Sequence, residues 1–386
     1  MRYEGAGLTL VCVLTFCIVL PVLCGTWPYS VYYRGVGSSS STDEEDDDSS
    51  ALSYLSKVET TDNDGRQPFL LVTIVTVSRQ GQFYLSRVVA RLHQLLTNYN
   101  DDDDDTVQRR GNDAIGVIIC NVDSNPQLHR EALDLQRIYP VVQPNASQHL
   151  SVVYDNLMDK EKEDYVFCLN ASRSYNPDYI LVLEDDAVPV DDFLSVTVRL
   201  IDYLKNGRRR RRQRLTITDD GDFFYVKLYH PERLQNYWQP EPWRIAEWMA
   251  VSILSVFSLQ MLVPGLRLRR QSLWIVYFMT LVECLGRPHL LQFKRWMLAR
   301  LVPANPLAGY NLLSATECCT PAMLFTNTSA YMAANFLSSI TCKRGYAKDT
   351  ALYLHWRQSA GRLQSFVIEP NLVQHIGRVS TLRFNH

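Results

Sequence analysis

The sequence predicts an α/β protein. A mostly parallel sheet with helices on both faces is interrupted by a two-helix membrane hairpin and preceded by an N-terminal transmembrane anchor. Three observations carry this prediction. Short, wholly apolar runs alternate with segments of helical periodicity, the pattern of a buried parallel sheet. A charge-free run lies near the start of the chain, and two more apolar runs lie deep inside it, joined by a turn and a basic loop. The 386 residues allow two domains, or one large domain with additions. With 46% hydrophobic and 21% charged residues, global disorder is excluded. Lys+Arg total 39 against 41 for Asp+Glu, a near-balance that argues against a dedicated nucleic-acid binder. A mean hydropathy of −0.14 excludes a many-span transporter. Nine cysteines in a chain this long do not make a small disulfide scaffold.

Residues 1–7 read as a cytosolic tail. Residues 8–24, Leu8 to Cys24, are LTLVCVLTFCIVLPVLC, preceded by Arg2. This is a signal-anchor or a cleaved signal peptide, and either sends the following chain to the lumen. Residues 25–67 read as a lumenal stalk, because Ser38 to Ser50 is the low-complexity tract SSSSTDEEDDDSS. From residue 68 the strand–helix alternation begins. Phe69–Val77, Ala114–Cys120 and Tyr179–Leu183 have the composition of buried strands. Helices are expected over Gln82–Asn98, Ser147–Asp159 and Asp191–Leu204. The acidic tract Asn100–Asp105 and the basic run Arg208–Arg212 read as exposed loop insertions.

Met249–Val263 and Leu273–Leu285 are the two internal apolar runs. Pro264-Gly265 makes a turn between them, and Arg267, Arg269 and Arg270 suit a cytosolic loop. Each run is at or below the length of a span, so a soluble helical hairpin competes with a membrane hairpin. Glu283 is expensive in lipid and is expected to face the partner helix or the lumenal end, with Arg287 nearby. A hairpin over 248–286 leaves 68–247 and 287–386 in one compartment. Three N-x-S sequons, at Asn145, Asn170 and Asn327, fall in those lumenal segments. So do Cys120, Cys168, Cys318, Cys319 and Cys342, an odd set in which at least one thiol lacks an intrachain partner. Cys318 and Cys319 either bond to each other or to separate partners.

The strongest chemical signal is Glu184-Asp185-Asp186, directly after the apolar run YILVL. Acids at the carboxyl end of a core strand need a counter-charge. A divalent cation on a diphosphate supplies one, and hard carboxylate oxygens suit Mg²⁺ or Mn²⁺. Strand alternation places Glu184 and Asp186 on one face and Asp185 on the other. Ligands of such sheets sit at the strand carboxyl ends. Thr76, Val77 and Arg79 after the first strand, and Asp123 after the second, therefore join Glu184 and Asp185 as candidate nucleotide contacts. His375, between a Pro-Asn turn and Gly377, is a candidate third metal ligand beside Glu184 and Asp186.

The stretches YILVLEDDAVPV, ATECCTPAMLF and EPNLVQHIGRVSTL, with the anchor and the internal hairpin, resemble the Golgi GPI-N-acetylgalactosamine transferases. These are GT-A-type glycosyltransferases with a tandem transmembrane hairpin inside the catalytic domain. The resemblance runs from about Pro68 onward. It departs from the strict D-x-D metal motif by a Glu in first position, as do N-glycan branching N-acetylglucosaminyltransferases. The resemblance implies Mn²⁺ as cofactor, UDP-GalNAc as donor and the first mannose of the GPI core on a GPI-anchored protein as acceptor. It also implies a multi-pass enzyme among Golgi membrane lipids with its catalytic part lumenal. Residues 68–247 would hold the nucleotide-sugar and metal site, and 287–386 the acceptor side. Inverting transfer needs a carboxylate base, for which Asp349 and Glu317 are candidates. The competing readings are a branching-type N-acetylglucosaminyltransferase and a non-catalytic Golgi scaffold.

Overall fold

A computed structural model describes residues 2–33, 41–59, 67–79, 81–101, 114–144, 156–214, 223–237, 242–263, 271–302, 307–359 and 362–377. The chain forms two compact units, residues 1–44 with 231–305, and residues 45–230 with 306–386.

The main helices among the described residues, apart from the short Arg130–Asp134, are in chain order α1 (Arg2–Val13), α2 (Leu20–Leu23), α3 (Ser41–Ser56), α4 (Tyr84–Asp101) and α5 (Leu157–Ser174). They continue with α6 (Phe193–Arg214), α7 (Pro242–Leu262), α8 (Gln271–Leu285), α9 (Arg287–Leu301), α10 (Asn327–Ser338) and α11 (Lys348–Gln358). The strands are β1 (Leu70–Thr76), β2 (Ile115–Asn121), β3 (Val141–Val142), β4 (Tyr179–Glu184) and β5 (Ala187–Pro189). The rest are β6 (Phe223–Lys227), β7 (Asn311–Ser314), β8 (Ala322–Thr326), β9 (Gln364–Glu369) and β10 (Val373–His375).

The larger unit holds an eight-stranded mixed sheet in the order β3-β2-β1-β4-β8-β6-β9-β7. The strands β3, β2, β1 and β4 are mutually parallel, as the apolar runs predict. β8 is antiparallel to both its neighbours and β7 is antiparallel to β9, so the sheet is mostly rather than wholly parallel. Side-chain alternation along β4 divides the core. Leu181 and Leu183 join α4 (Leu85, Val88, Leu92) on one face. Ile180 and Val182 join α5 and α10 (Leu169, Ala333, Leu337) on the other. Both faces of the sheet are thus covered by helix.

Several expectations are corrected. The stalk is not simply solvated, because α3 is helical and Ala51 and Leu55, one turn apart, are buried in the main core. Its acids also dock, since Arg87 Nε donates to Asp48 at 2.5 Å. Of the helix expected over Ser147–Asp159, residues 147–155 lie outside the described residues, and Asn156 caps the helix that runs Leu157–Ser174. The run Arg208–Arg212 forms the last turns of α6 rather than a loop. Asp102–Asp105, Ser38–Ser40, the sequon residue Asn145 and the hairpin loop Pro264–Arg270 lie outside the described residues. Asn170 is exposed on α5, whereas Asn327 Nδ2 donates to Pro177 O at 2.8 Å.

In the smaller unit α7 and α8 pack together, with Trp248 Nε1 donating to Met279 O at 2.8 Å. The segment Trp243–Leu262, of mean hydropathy 1.6, is long and apolar enough to cross a membrane. Gly7–Leu23 and Gln271–Leu285 are shorter apolar helices. Residues 231–305 belong to this unit, and charged ties surround its helices. Arg287 Nη2 lies 3.2 Å from Glu247 Oε2, and Lys294 Nζ 3.4 Å from Oε1. Glu283 accepts from the backbone N–H of Tyr237 at 3.3 Å. Gly286, the single residue between α8 and α9, has φ +92°, and a Cβ there would lie 2.5 Å from Tyr29 O.

Candidate active site at the strand ends

Parallel pairing brings three strand ends together. Thr76 pairs with Asn121, and Val75 with Glu184, in register. The turn after each strand therefore opens at the same edge of the sheet. β8 runs the other way, so the segment before it reaches the same edge. There Pro321 O accepts from Glu184 N at 2.8 Å, and Thr320 Oγ1 donates to Glu184 Oε1 at 3.1 Å.

The acidic triplet is the electrostatic centre. Asp185 and Asp186 are 3% and 4% exposed. Arg79 holds both, with Nη2 at 2.7 Å from Asp185 Oδ1 and Nη1 at 2.7 Å from Asp186 Oδ2. The alternation expected from strand geometry ends with Glu184, because one guanidinium reaches the two following acids. Asp185 also accepts from Thr76 Oγ1 at 2.8 Å and from Val77 N at 3.3 Å. Burial, only partly offset by Arg79, pushes the Asp185 carboxyl up to about 7. Burial likewise raises Glu184, against the pull of Lys348. Lys348 Nζ lies 3.5 Å from Glu184 Oε1 and also pairs with Glu161. Burial works to lower the Lys348 ammonium, but these two acids outweigh it and the net shift is upward.

The residues proposed for metal converge. Donor atoms of Glu184, Asp186 and His375 all lie within 4.8 Å of one another. His375 is delivered by the antiparallel pairing of β10 with β5, which sets it opposite Ala187. Ile376 N then donates to Asp186 O at 2.9 Å, and a Cβ at Gly377 would fall 2.1 Å from Asp186 Oδ2. Only glycine permits that approach. Among the described residues, Asp186 Oδ1 is buried without a hydrogen-bond partner. An orphaned carboxylate oxygen beside a second carboxylate and an imidazole fits a borderline divalent cation such as Mn²⁺.

A cavity of about 280 Å³ opens beside the triplet. Thr76, Val77, Arg79, Asp123, Glu184 and Asp185 all line it, so the six candidate nucleotide-sugar contacts share one wall. Asp123 is partly committed, since Oδ2 accepts from Ser78 N at 2.9 Å and Oδ1 from Asn125 N at 2.7 Å. Sequence reasoning missed Lys160, Tyr165 and Lys348 on the same wall. The Tyr165 hydroxyl is buried there with no hydrogen-bond partner among the described residues, and burial raises its pKa. No motif flags these residues, because α5 and α11 reach the cavity only through tertiary packing.

The two candidate bases lie off this wall. Both Asp349 oxygens take backbone N–H groups, from Cys319 at 3.0 Å and Thr350 at 2.8 Å. Asp349 sits in the first turn of α11, whose N-cap is Ala347. Glu317 is exposed and accepts from Thr350 Oγ1 at 3.2 Å. Cys318 and Cys319 are bonded to each other, and Cys120 to Cys168, which leaves Cys342 as the odd thiol of the five. Bonded sulfurs are not thiolate ligands, so Cys318, Cys319 and Asp349 do not make a second metal site, although their donor atoms also cluster. The disulfide segment is held from below by Lys227, whose Nζ donates to the carbonyls of Thr316, Glu317 and Cys318 at 2.7, 3.0 and 3.0 Å. Burial lowers the Lys227 ammonium to about 7, with Asp349 and Glu317 pulling the other way.

A family model described as GPI-N-acetylgalactosamine transferase PGAP4 matches residues 70–374. Among solved structures, a crystal structure of a mycobacterial protein shares 13% identity, with 81% of this chain and 68% of that one covered, at a TM-score of 0.36. Glucosyl-3-phosphoglycerate synthase from Mycobacterium tuberculosis, in complex with Mn²⁺, UDP and phosphoglyceric acid, shares 11%. There 81% and 72% are covered, at a TM-score of 0.35. These superpositions are too loose to equate individual residues.

Proposed function

The chain belongs to the GPI-N-acetylgalactosamine transferase PGAP4 family, and from that premise we propose a UDP-GalNAc-dependent enzyme that glycosylates the first mannose of the GPI core. The chain is a glycosyltransferase, which sets aside the non-catalytic scaffold. The observation that carries the fuller reading is the junction of two features at one sheet edge. A cavity lined by Arg79, Tyr165 and Lys348 adjoins a three-donor group of Glu184, Asp186 and His375.

In this reading Glu184, Asp186 and His375 hold Mn²⁺. When bound, the ion would stabilise negative charge developing on the departing diphosphate. Arg79 and Lys348 now pair with the triplet, and the same two cations are placed to answer the phosphates of a donor. Tyr165 supplies a hydroxyl that the protein itself leaves unanswered. Asp349, occupied by two backbone donors, orients the disulfide segment. Glu317 keeps acceptor capacity and lies three residues from Thr320, whose hydroxyl donates to Glu184. We therefore assign Glu317 as the base that takes the proton of the attacking hydroxyl, with Asp349 as its positioning residue. The apolar helices of the smaller unit anchor the enzyme in the Golgi membrane as a multi-pass protein. Two disulfides support an oxidising lumen for the catalytic part.

The test is a transfer assay on purified protein with a synthetic GPI glycan acceptor and MnCl₂. UDP-GalNAc is expected to be the best donor. Faster transfer from UDP-GlcNAc would replace the donor assignment with that of a branching-type enzyme, and transfer undiminished by chelator would remove the metal.

A further inference from the structure

Helix α9 carries an apolar face turned away from its own unit. Phe293, Trp296, Met297 and Leu301 are 59%, 51%, 37% and 70% exposed. With Arg300 they recur at the spacing of a single helix face. The Phe293 and Trp296 rings stack at 5.9 Å, and the Arg300 guanidinium lies 4.6 Å over Trp296. On the opposite side Leu291 is buried, while Arg287 and Lys294 reach the two oxygens of Glu247. The helix RPHLLQFKRWMLARL contains no acid.

We propose that α9 lies in the headgroup layer of a phospholipid bilayer. Phe293, Trp296, Met297 and Leu301 enter the acyl boundary, and Arg300 on the same face sits among phosphates. The inference rests on the reading that α7 crosses the membrane. Three features favour lipid over a protein partner. The face continues an apolar exterior, because Gly286 alone separates α9 from α8, and α7 exposes Leu254, Phe257 and Met261. The charged group of Glu247, Arg287 and Lys294 marks the level where hydrocarbon must end, since such charges are not placed in lipid. A purely basic helix with exposed Trp and Phe matches anionic phosphates at an interface, where a protein partner would call for a wider apolar patch.

The experiment places p-benzoylphenylalanine at Phe293, at Phe257 on α7, and at the exposed Leu128 of the larger unit. The full chain is reconstituted in phosphatidylcholine–phosphatidylserine nanodiscs and irradiated, and adducts are read by mass spectrometry. Lipid adducts at 293 and 257 but not at 128 are expected. Adducts at 257 with none at 293 would overturn the α9 assignment and leave the span standing. Crosslinking of 293 to a second copy or another protein would overturn it in favour of a protein interface. Absence of lipid at both positions would remove the span reading and this one with it.

Discussion

Arg287 in the helical unit and Asp186 in the catalytic unit are both buried charges, and their surroundings differ in kind. Arg287 donates to Glu247 and to Gln235 O, and the Trp243 ring lies 4.9 Å from its guanidinium. Glu247 answers Arg287 with one oxygen and Lys294 with the other. The group is closed. Around Asp186, three consecutive acids share Arg79 and Lys348, and one buried oxygen has no partner. That group is open, and an open buried group costs stability unless a ligand completes it. The closed network fixes how helices pack, while the open one is, in the proposed reading, where the donor and its metal bind.

The sharpest way to break the comparison is to open the closed network. Arg287→Ala strands Glu247 with a half-exposed lysine, and should cost about 3–5 kcal/mol. Thermal unfolding in detergent reads this, and an unchanged midpoint would show that the network contributes nothing. The converse change closes the open site. Asp186→Asn removes one charge from the triplet, so the unfolding midpoint should hold or rise. Transfer should nevertheless fall by on the order of 10²- to 10³-fold. A midpoint that drops as far as for Arg287→Ala would erase the distinction.

Two smaller effects refine it. Lys348→Met should raise the donor KM about tenfold, or about 1.4 kcal/mol, with a lesser change in kcat, and Lys348→Arg should restore part of it. Equal loss in both parameters would assign Lys348 to the chemical step instead. Lys227 tests the pH side. Its ammonium is lowered by burial to about 7, against an ordinary value of 10.5. Below pH 7 both folded and unfolded chains hold the proton, and folding bears the whole cost of burying it. Between 7 and 10.5 the folded chain releases the proton first, so the stability of the wild type relative to Lys227→Met should rise with pH. Unfolding midpoints of both proteins at pH 6.5, 8 and 9.5 would show a gap moving in the wild type's favour, and a constant gap would refute the assignment.

Much of the parallel half of the sheet was legible in the sequence. β1, β2 and β4 are predominantly apolar, with Thr73 inside β1 and other polar residues only at strand ends, and a run of that composition is buried on both faces. The acidic triplet was legible for the same reason, since charge so close to a core strand needs an explanation. The antiparallel half was not. β6 reads FFYVK with its lysine buried, and β7 and β9 are short and mixed, so only their pairing defines them. Lys348 and Tyr165 left no local trace, because their partners come from other elements. The stalk misled because its acids dominate the composition, while two residues, Ala51 and Leu55, decide the docking of α3.

In the proposed reading the open acidic group is completed by a metal-bound nucleoside diphosphate. Isothermal titration of UDP into the full chain, with Mn²⁺ and with chelator, for wild type and Asp186→Asn, measures this. Binding by the wild type is expected to require Mn²⁺ and to disappear in Asp186→Asn, while Arg287→Lys, which keeps the charge in the helical unit, still binds. Equal UDP affinity with and without Mn²⁺, or undiminished binding by Asp186→Asn, would contradict it.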